Sequence, residues 1–181
     1  RDLSSAPPLD RHRRRDDRRF AVKVPPRTLS TWDEAGALAR STQARGKTVV
    51  FTNGVFDLLH PGHVGYLADA KKLGDILIVA INSDQSVRGN KGSDRPITPE
   101  TERAELLLAL AVVDAVVIFD QPTPQAVIEH LKPDVLVKGE DWAHEAIVGR
   151  DIVEGRGGRV VRLPLLRGVS TTDLIRKVRS R

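Results

Sequence analysis

Five short runs of aliphatic and β-branched residues, alternating with stretches long enough for helices, constrain this chain more than any other feature. The runs are KTVVFT (47–52), DILIVAI (75–81), DAVVIF (114–119), PDVLVK (133–138) and GRVVRL (158–163). Helices are predicted around and between them at 31–45, 62–73, 99–111, 123–131, 144–155 and 171–179. Thr31 or Ser30 would cap the first of these and Gly46 would stop it. Strands separated by helices build parallel βαβ units. The runs show little alternation of apolar with polar residues, as expected of parallel strands covered on both faces. The expected fold class is therefore α/β, a doubly wound five-stranded parallel sheet with no internal repeat. Ligands bind such sheets at the carboxyl ends of the strands, near the topological switch point. That rule directs attention to the loops 53–63, 82–98, 139–143 and 164–171.

Composition sets outer limits on function. With 181 residues, 40% hydrophobic and 29% charged, the chain is long enough to bury one ordinary core. No apolar run reaches the length of a membrane span and no signal-peptide pattern opens the sequence, so no membrane association is expected. The absence of cysteine excludes disulfides, thiolate metal sites and cysteine nucleophiles, and fits a cytoplasmic location. Methionine is absent even from position 1, which suggests a piece of something longer. The net charge of +5 would suit a nucleic-acid binder, but its placement argues otherwise. Residues 1–27 hold nine Lys/Arg against four Asp, and residues 28–181 hold twenty of each sign. The leading segment is rich in Arg, Asp and Pro and is expected to be a disordered basic tail or linker. Its one Phe/Tyr/Trp residue, Phe20, follows the arginine run and does not interleave it for base stacking, so no nucleic-acid partner is expected. Residues 28–181 are expected to form the single folded domain.

The chemistry concentrates after the first strand, in TNGVFDLLHPGH (52–63). Thr52, Asn53 and Gly54 leave the strand, Phe56 and Asp57 follow, and His60-Pro61-Gly62-His63 opens a helix. Proline is comfortable in a first helical turn, where its missing N–H has no partner to lose. A helix N-terminus offers free amides and partial positive charge, which suit phosphate. Gly54 and Gly62 would let a polyanion approach the backbone without meeting a Cβ. A metal site would need more ligands than two histidines and Asp57. Core filling fits poorly for two histidines flanking a Pro-Gly turn. Phosphate handling fits the strand–loop–helix context best, although the G-x-x-x-x-G-K-[ST] loop is absent. Asp57 is left as a loop-shaping residue.

The second loop holds Arg88, Lys91 and Arg95 among glycines, and is expected to be a mobile basic segment able to close over phosphates. The fourth places Lys138, Gly139, Asp141 and Trp142 at a strand end. Trp142 could pack on a base or sugar, or equally against its own helix. In the fifth, Ser170 and Asp173 form an S-x-x-D capping pattern that puts Thr171 and Thr172 at a helix start. His130 lies near a helix C-terminus, where a partly charged imidazole is favourable, and His144 begins a short helix.

TNGVFDLLHPGH resembles the opening signature of the HxGH nucleotidylyltransferases, in their cytidylyltransferase-like branch. Further segments, LIVAINSD (77–84), RPITPETER (95–103), PDVLVKGEDW (133–142), GGRVV (157–161) and STTDLI (170–175), resemble in order those of adenylyltransferases that make ADP-heptose from heptose 1-phosphate. The likeness covers roughly residues 30–180. It implies the Rossmann-like nucleotidylyltransferase fold. It also implies in-line attack of a sugar phosphate on the α-phosphorus of ATP, with pyrophosphate leaving and Mg²⁺ carried on the ATP phosphates. The sugar phosphate is already anionic, so catalysis needs positioning and charge stabilisation rather than a strong base.

By resemblance His60, His63 and Lys91 are catalytic. Thr52, Asn53, Gly54, Phe56, Gly62, Arg103, Lys138, Gly139, Asp141, Ser170, Thr171 and Thr172 contact the nucleotide, and Arg88 and Trp142 the substrate. No protein metal ligands are implied. Partners implied are ATP and a sugar 1-phosphate, a second copy in a homodimer, and a fused or associated sugar kinase in a bacterial cytoplasm. Many cytidylyltransferases of this branch carry Arg-Thr-x-Gly-Ile before Ser-Thr. Here PLLRGVSTT puts Leu165 in place of that arginine, with Arg167 out of register. The departure weakens a glycerol-3-phosphate-type cytidylyltransferase, which stays as the enzymatic alternative. The other alternative is a nucleotide-binding module without turnover.

Overall fold

The computed structural model describes residues 29–166, 168 and 170–180. The charged segment 1–27 and Arg167 lie outside the described residues. The chain runs α1 (Trp32–Gln43), β1 (Val49–Gly54), α2 (Pro61–Lys71), β2 (Ile76–Asn82), α3 (Asp84–Lys91), α4 (Glu100–Leu108), β3 (Ala115–Phe119), α5 (Gln125–Leu131), β4 (Val135–Gly139), α6 (Arg150–Glu154), β5 (Arg159–Leu163) and α7 (Thr171–Arg179). The five strands are all parallel, in the order β3-β2-β1-β4-β5. This is the doubly wound sheet expected from the sequence. The strand order reverses between β1 and β4, so the switch point lies where their carboxyl ends meet.

The near-continuous apolar runs have a direct explanation. Val49, Phe51, Ile78, Ala80, Val117 and Leu136 face one core with α1, α5 and α6. Val50, Leu77, Val79, Ile81, Val116 and Val137 face the other with α2 and α4. Successive residues of a strand point to opposite faces, and here both faces are buried. At the amino ends of the strands, aspartates hold neighbouring strands in register. Asp75 accepts from the Thr48 amide, Asp114 from Leu77, and Asp134 from Val49, each at 2.7–2.8 Å. These carboxylates lie at the end of the sheet away from the switch point.

Thr31 caps α1 through a full capping box with Glu34. Two segments differ from expectation. Residues 144–155 split into a 3₁₀ turn, His144–Ala146, and α6, because Gly149 takes a left-handed conformation (φ +88°). A Cβ there would collide with the Ile128 side chain. The loop expected to be mobile, 82–98, instead begins with α3. Ser83 caps it by accepting from the Ser86 amide, Asp84 sits in its first turn, and Arg88 and Lys91 sit in its last. Charges of those signs at those ends favour a helix despite the Gly and Asn residues within it.

Arg103, expected from resemblance to contact nucleotide, is a structural residue instead. On α4 it is fully buried (0% exposed). Its Nε donates to the Thr98 carbonyl at 3.0 Å and Nη1 to the Val55 carbonyl at 2.6 Å. Nη2 donates to the Asn82 carbonyl and to the Asp84 carboxylate, both at 2.8 Å. One guanidinium thus ties the loop after β1 to the end of β2, the start of α3 and the approach to α4. Arg103→Met should lower the unfolding free energy in urea titration by about 3–5 kcal/mol, because it strands several buried acceptors. Arg103→Lys should recover less than half of that, since an ammonium cannot reproduce the planar fork. A loss under about 1 kcal/mol for Arg103→Met would show that water satisfies these carbonyls equally well.

Candidate active site

Two adjoining cavities open over the carboxyl ends of β1 and β4. The first, about 380 Å³, is bordered by His60, His63, Lys91 and Arg95, and by Ser170, Thr171 and Thr172 at the start of α7. The second, about 580 Å³, is bordered by Asn53, Gly54, Lys138, Gly139 and Trp142, with Pro122, Pro124 and Val148 forming an apolar wall. Phe56, His63, Tyr66, Lys91 and Asp141 face both. The sheet therefore brings together most of the residues singled out in the sequence.

The histidines occupy the first turn of α2. His60 is its N-cap residue, in extended conformation, and Pro61 takes the first helical position. The two imidazoles stack with centroids 3.7 Å apart and planes 21° from parallel. The Phe56 ring meets His63 edge-on at 5.2 Å. Phe56 itself adopts φ +48°, a left-handed conformation that a bulky residue keeps only when its surroundings demand it. The glycines also serve the rings beside them. A Cβ on Gly62 would lie 3.0 Å from the His60 ring, and one on Gly54 3.0 Å from the Phe56 ring. At both positions glycine makes room for a neighbouring ring, and each glycine also borders a cavity.

Stacking and burial set the protonation state. Burial, reinforced by the nearby His60, pushes His63 down to about 4, and burial lowers His60 as well. At neutral pH both rings are uncharged, each with one N–H to give. The Nδ1 atoms of both are buried without a partner, as is Oδ1 of Asn53.

Arg95 is placed by Asp57. Its carboxylate accepts from Arg95 Nε at 2.6 Å and from the Ile97 and Thr98 amides at 2.8 and 2.9 Å. The loop-shaping role expected of Asp57 is what its geometry shows. Burial and the neighbouring Arg95 lower the Lys91 ammonium, against an opposing pull from Asp57. Ser170 caps α7, accepting from the Asp173 amide at 3.0 Å. Two helix N-termini, of α2 and α7, thus converge on the first cavity with their free amides and partial positive charge.

Three expected contacts fall elsewhere. Arg103 is committed as described. Thr52 is fully buried, and its hydroxyl donates to the Val137 carbonyl at 3.0 Å while the Tyr66 hydroxyl lies 2.8 Å away. With its only proton given to Val137, Thr52 must accept from Tyr66, so it positions that ring rather than a ligand. Arg88 is exposed on α3 and borders neither cavity. Tyr66 is the residue that sequence reasoning missed. Burial pushes its phenol up to about 12. Its spacing, three residues after His63 on one helix face, was the signal available.

Residues 51–177 match the family model described as cytidylyltransferase-like. The bifunctional protein HldE of Citrifermentans bemidjiense is 56% identical over 146 residues, covering 81% of this chain and 30% of that protein. HldE of Halorhodospira halophila is 53% identical over 151 residues, covering 82% and 32% respectively. The chain thus spans about a third of the length of these curated relatives. The crystal structure of a lipopolysaccharide core biosynthesis protein from Thermoplasma volcanium superposes with a TM-score of 0.56 at 31% identity, covering 67% of this chain and 98% of that one. Pantothenate synthetase from Thermus thermophilus has a TM-score of 0.56 at 19% identity over 82% of this chain and 67% of its own, a likeness of fold.

In the ligand-free protein the His63 ring should titrate by NMR with a midpoint near 4, well below its ordinary 6.5. Between those values the unfolded chain binds a proton that the folded protein excludes, so stability should fall as pH drops through this window. His63→Gln should remove that part of the acid sensitivity. An unchanged acid limb would place the sensitivity on other groups.

Proposed function

Because the chain belongs to the cytidylyltransferase-like family, we propose that it is an adenylyltransferase condensing ATP with D-glycero-β-D-manno-heptose 1-phosphate to give ADP-heptose and pyrophosphate. The observation that carries the reading is the convergence of two stacked neutral imidazoles, Lys91, Arg95 and two helix N-termini on one cavity. Such a set suits a polyphosphate on which negative charge builds during reaction. The acceptor is supported by the segments resembling heptose 1-phosphate adenylyltransferases. A solved relative named for lipopolysaccharide core biosynthesis supports it further.

The chemistry follows from positions. A phosphate oxygen of the sugar phosphate forms the new bond to the α-phosphorus, and the bond to the bridging oxygen of the β-phosphate breaks. The electron pair leaves with pyrophosphate. His60 and His63 donate N–H to the α-phosphate and leaving group as their charge grows, and Lys91 and Arg95 hold the outer phosphates. Thr171 and Thr172 offer hydroxyls and amides at the start of α7. Among the described residues no cluster of three or more His, Asp or Glu could hold a metal. Asp57 is occupied by Arg95 and two amides, so Mg²⁺ is proposed to arrive as part of MgATP.

Residues 28–181 are proposed as the catalytic unit, joined through the charged segment 1–27 or in partnership to a sugar kinase. The relatives named bifunctional are about three times as long. A homodimer in the bacterial cytoplasm completes the proposal. Among the described residues no helix is long and apolar enough to cross a membrane.

Pyrophosphate release should occur with ATP plus heptose 1-phosphate. Release with CTP and not ATP would replace the reading with a cytidylyltransferase, and release with neither would favour a binding module. His63→Ala should reduce kcat by about 10²–10³-fold with an unchanged circular dichroism spectrum. Loss of the fold, with activity per folded molecule retained, would make His63 structural.

A further inference from the structure

We propose that the second cavity is the acceptor site and that Lys138, at its floor, is the cation that recognises the acceptor's phosphate. This rests on the reading of the chain as a nucleotidyltransferase, and reassigns a lysine that resemblance alone would give to the nucleotide. Lys138 ends β4 at the switch point and is only 8% exposed. Its ammonium makes one long hydrogen bond, 3.4 Å, to the Asn53 carbonyl, and lies 5.4 Å from the centre of the Trp142 ring. The Asp141 carboxylate acts on it through space, but among the described residues Lys138 forms no ion pair. A lysine so buried and so poorly paired is a cost to the fold. Its neighbour Asn53, which borders the same cavity, has a buried, unpartnered Oδ1.

In-line transfer decides which substrate this cation meets. Attacking and leaving oxygens must lie on opposite sides of the α-phosphorus. Pyrophosphate leaves toward Lys91, Arg95 and α7, in the first cavity. His63 stands at the junction, so the attacking phosphate enters from the second. A nucleobase carries no negative charge and would gain nothing from a buried ammonium. A phosphate monoester gains a charge-assisted pair in a dry site. The wall beyond it suits the rest of a sugar phosphate. Trp142, 47% exposed, offers a flat face to the C–H side of a ring, and Asn53 and Asn90 offer amides to hydroxyls.

Burial holds the Lys138 ammonium at about 8, with Asp141 opposing the shift. The other titratable groups facing this cavity are His63, Tyr66 and Lys91. Above that pH the free protein loses the Lys138 charge, so the KM for the acceptor should rise, and Lys138→Met should lack that component.

The test measures steady-state kinetics of the full chain, with ATP and each of three acceptors: heptose 1-phosphate, glycerol 3-phosphate and inorganic phosphate. For whichever acceptor the wild type uses, Lys138→Met and Lys138→Gln should raise its KM about 10- to 100-fold. The KM for ATP should change less than about threefold, within the range of an altered neighbour contact. The Met variant should melt no lower than the wild type, since it removes an ill-paired buried charge. A rise in the ATP KM with the acceptor KM unchanged would place Lys138 on the nucleotide and overturn the proposal. So would two unchanged KM values, with or without a lower melting temperature. Turnover of glycerol 3-phosphate alone would sink the heptose reading and leave Lys138 to be judged on that acceptor. Absence of turnover with all three, with ATP and with CTP alike, would overturn both.

Discussion

The buried guanidinium of Arg103 is the interaction on which the rest of the site depends. A parallel sheet fixes where strands end, and leaves the loops beyond them without ladder partners. Arg103 supplies donors to the carbonyls just past β1 and at the end of β2, and to the carboxylate that opens α3. Through Thr98 it also reaches the segment whose amides Asp57 receives. The two form a continuous frame: Arg103 beneath the loops, Asp57 above it, and Arg95 drawn inward by Asp57. Lys91 and Arg95 of the first cavity project from segments that this frame holds. Preorganisation of that kind spares reorganisation when charge develops on a bound phosphate.

Within the frame the histidines are held largely by shape, with a backbone hydrogen bond between His63 and Leu58 beside it. Stacking at 3.7 Å requires the missing Cβ of Gly62, and the edge-on Phe56 requires the missing Cβ of Gly54. Neither imidazole finds a partner for Nδ1. Two such rings cannot both be protonated cheaply in the empty protein, because each charge would raise the cost of the other. A bound polyphosphate reverses the sign of that effect. The rings are therefore uncharged when the site is empty and become better donors, and better proton holders, as anionic charge gathers beside them.

The sheet was legible because parallel strands buried on two faces leave uninterrupted apolar runs, and because four of the five runs end near a Gly, Asp or Asn. Most cavity residues were legible because ligands gather at the carboxyl ends of parallel strands, and the motif segments lie in the loops found there. Individual roles were not. Arg103 and Thr52 lie within motif segments, yet a motif does not say whether a polar side chain points outward or is spent holding the loop. Arg88 and Lys91 share a helix, and only the helical phase, hidden by Gly89 and Asn90, separates the one that reaches the cavity from the one that does not. The helix within the expected loop was missed on the same point: Ser83, Asp84, Arg88 and Lys91 carry a cap and end-charges correct for a helix, a signal outweighed by local Gly content.

Unpaired polar atoms separate the parts of this molecule that serve the fold from those kept for a ligand. Of four buried side-chain atoms without a hydrogen-bond partner among the described residues, three belong to Asn53, His60 and His63 in the two cavities. The fourth, Nε2 of His130, has the Asp33 carboxylate 3.3 Å away. Elsewhere the strand-capping aspartates, Thr52 and Arg103 are all satisfied. A chain able to pair its buried groups so thoroughly in its loops has no structural reason to leave them idle at one place. The idle groups share walls with Lys91 and Lys138, two lysines depressed by burial. A fold optimised only for stability would replace such groups with apolar ones. Their retention on either side of His63 matches a reaction in which two anions must meet at one phosphorus.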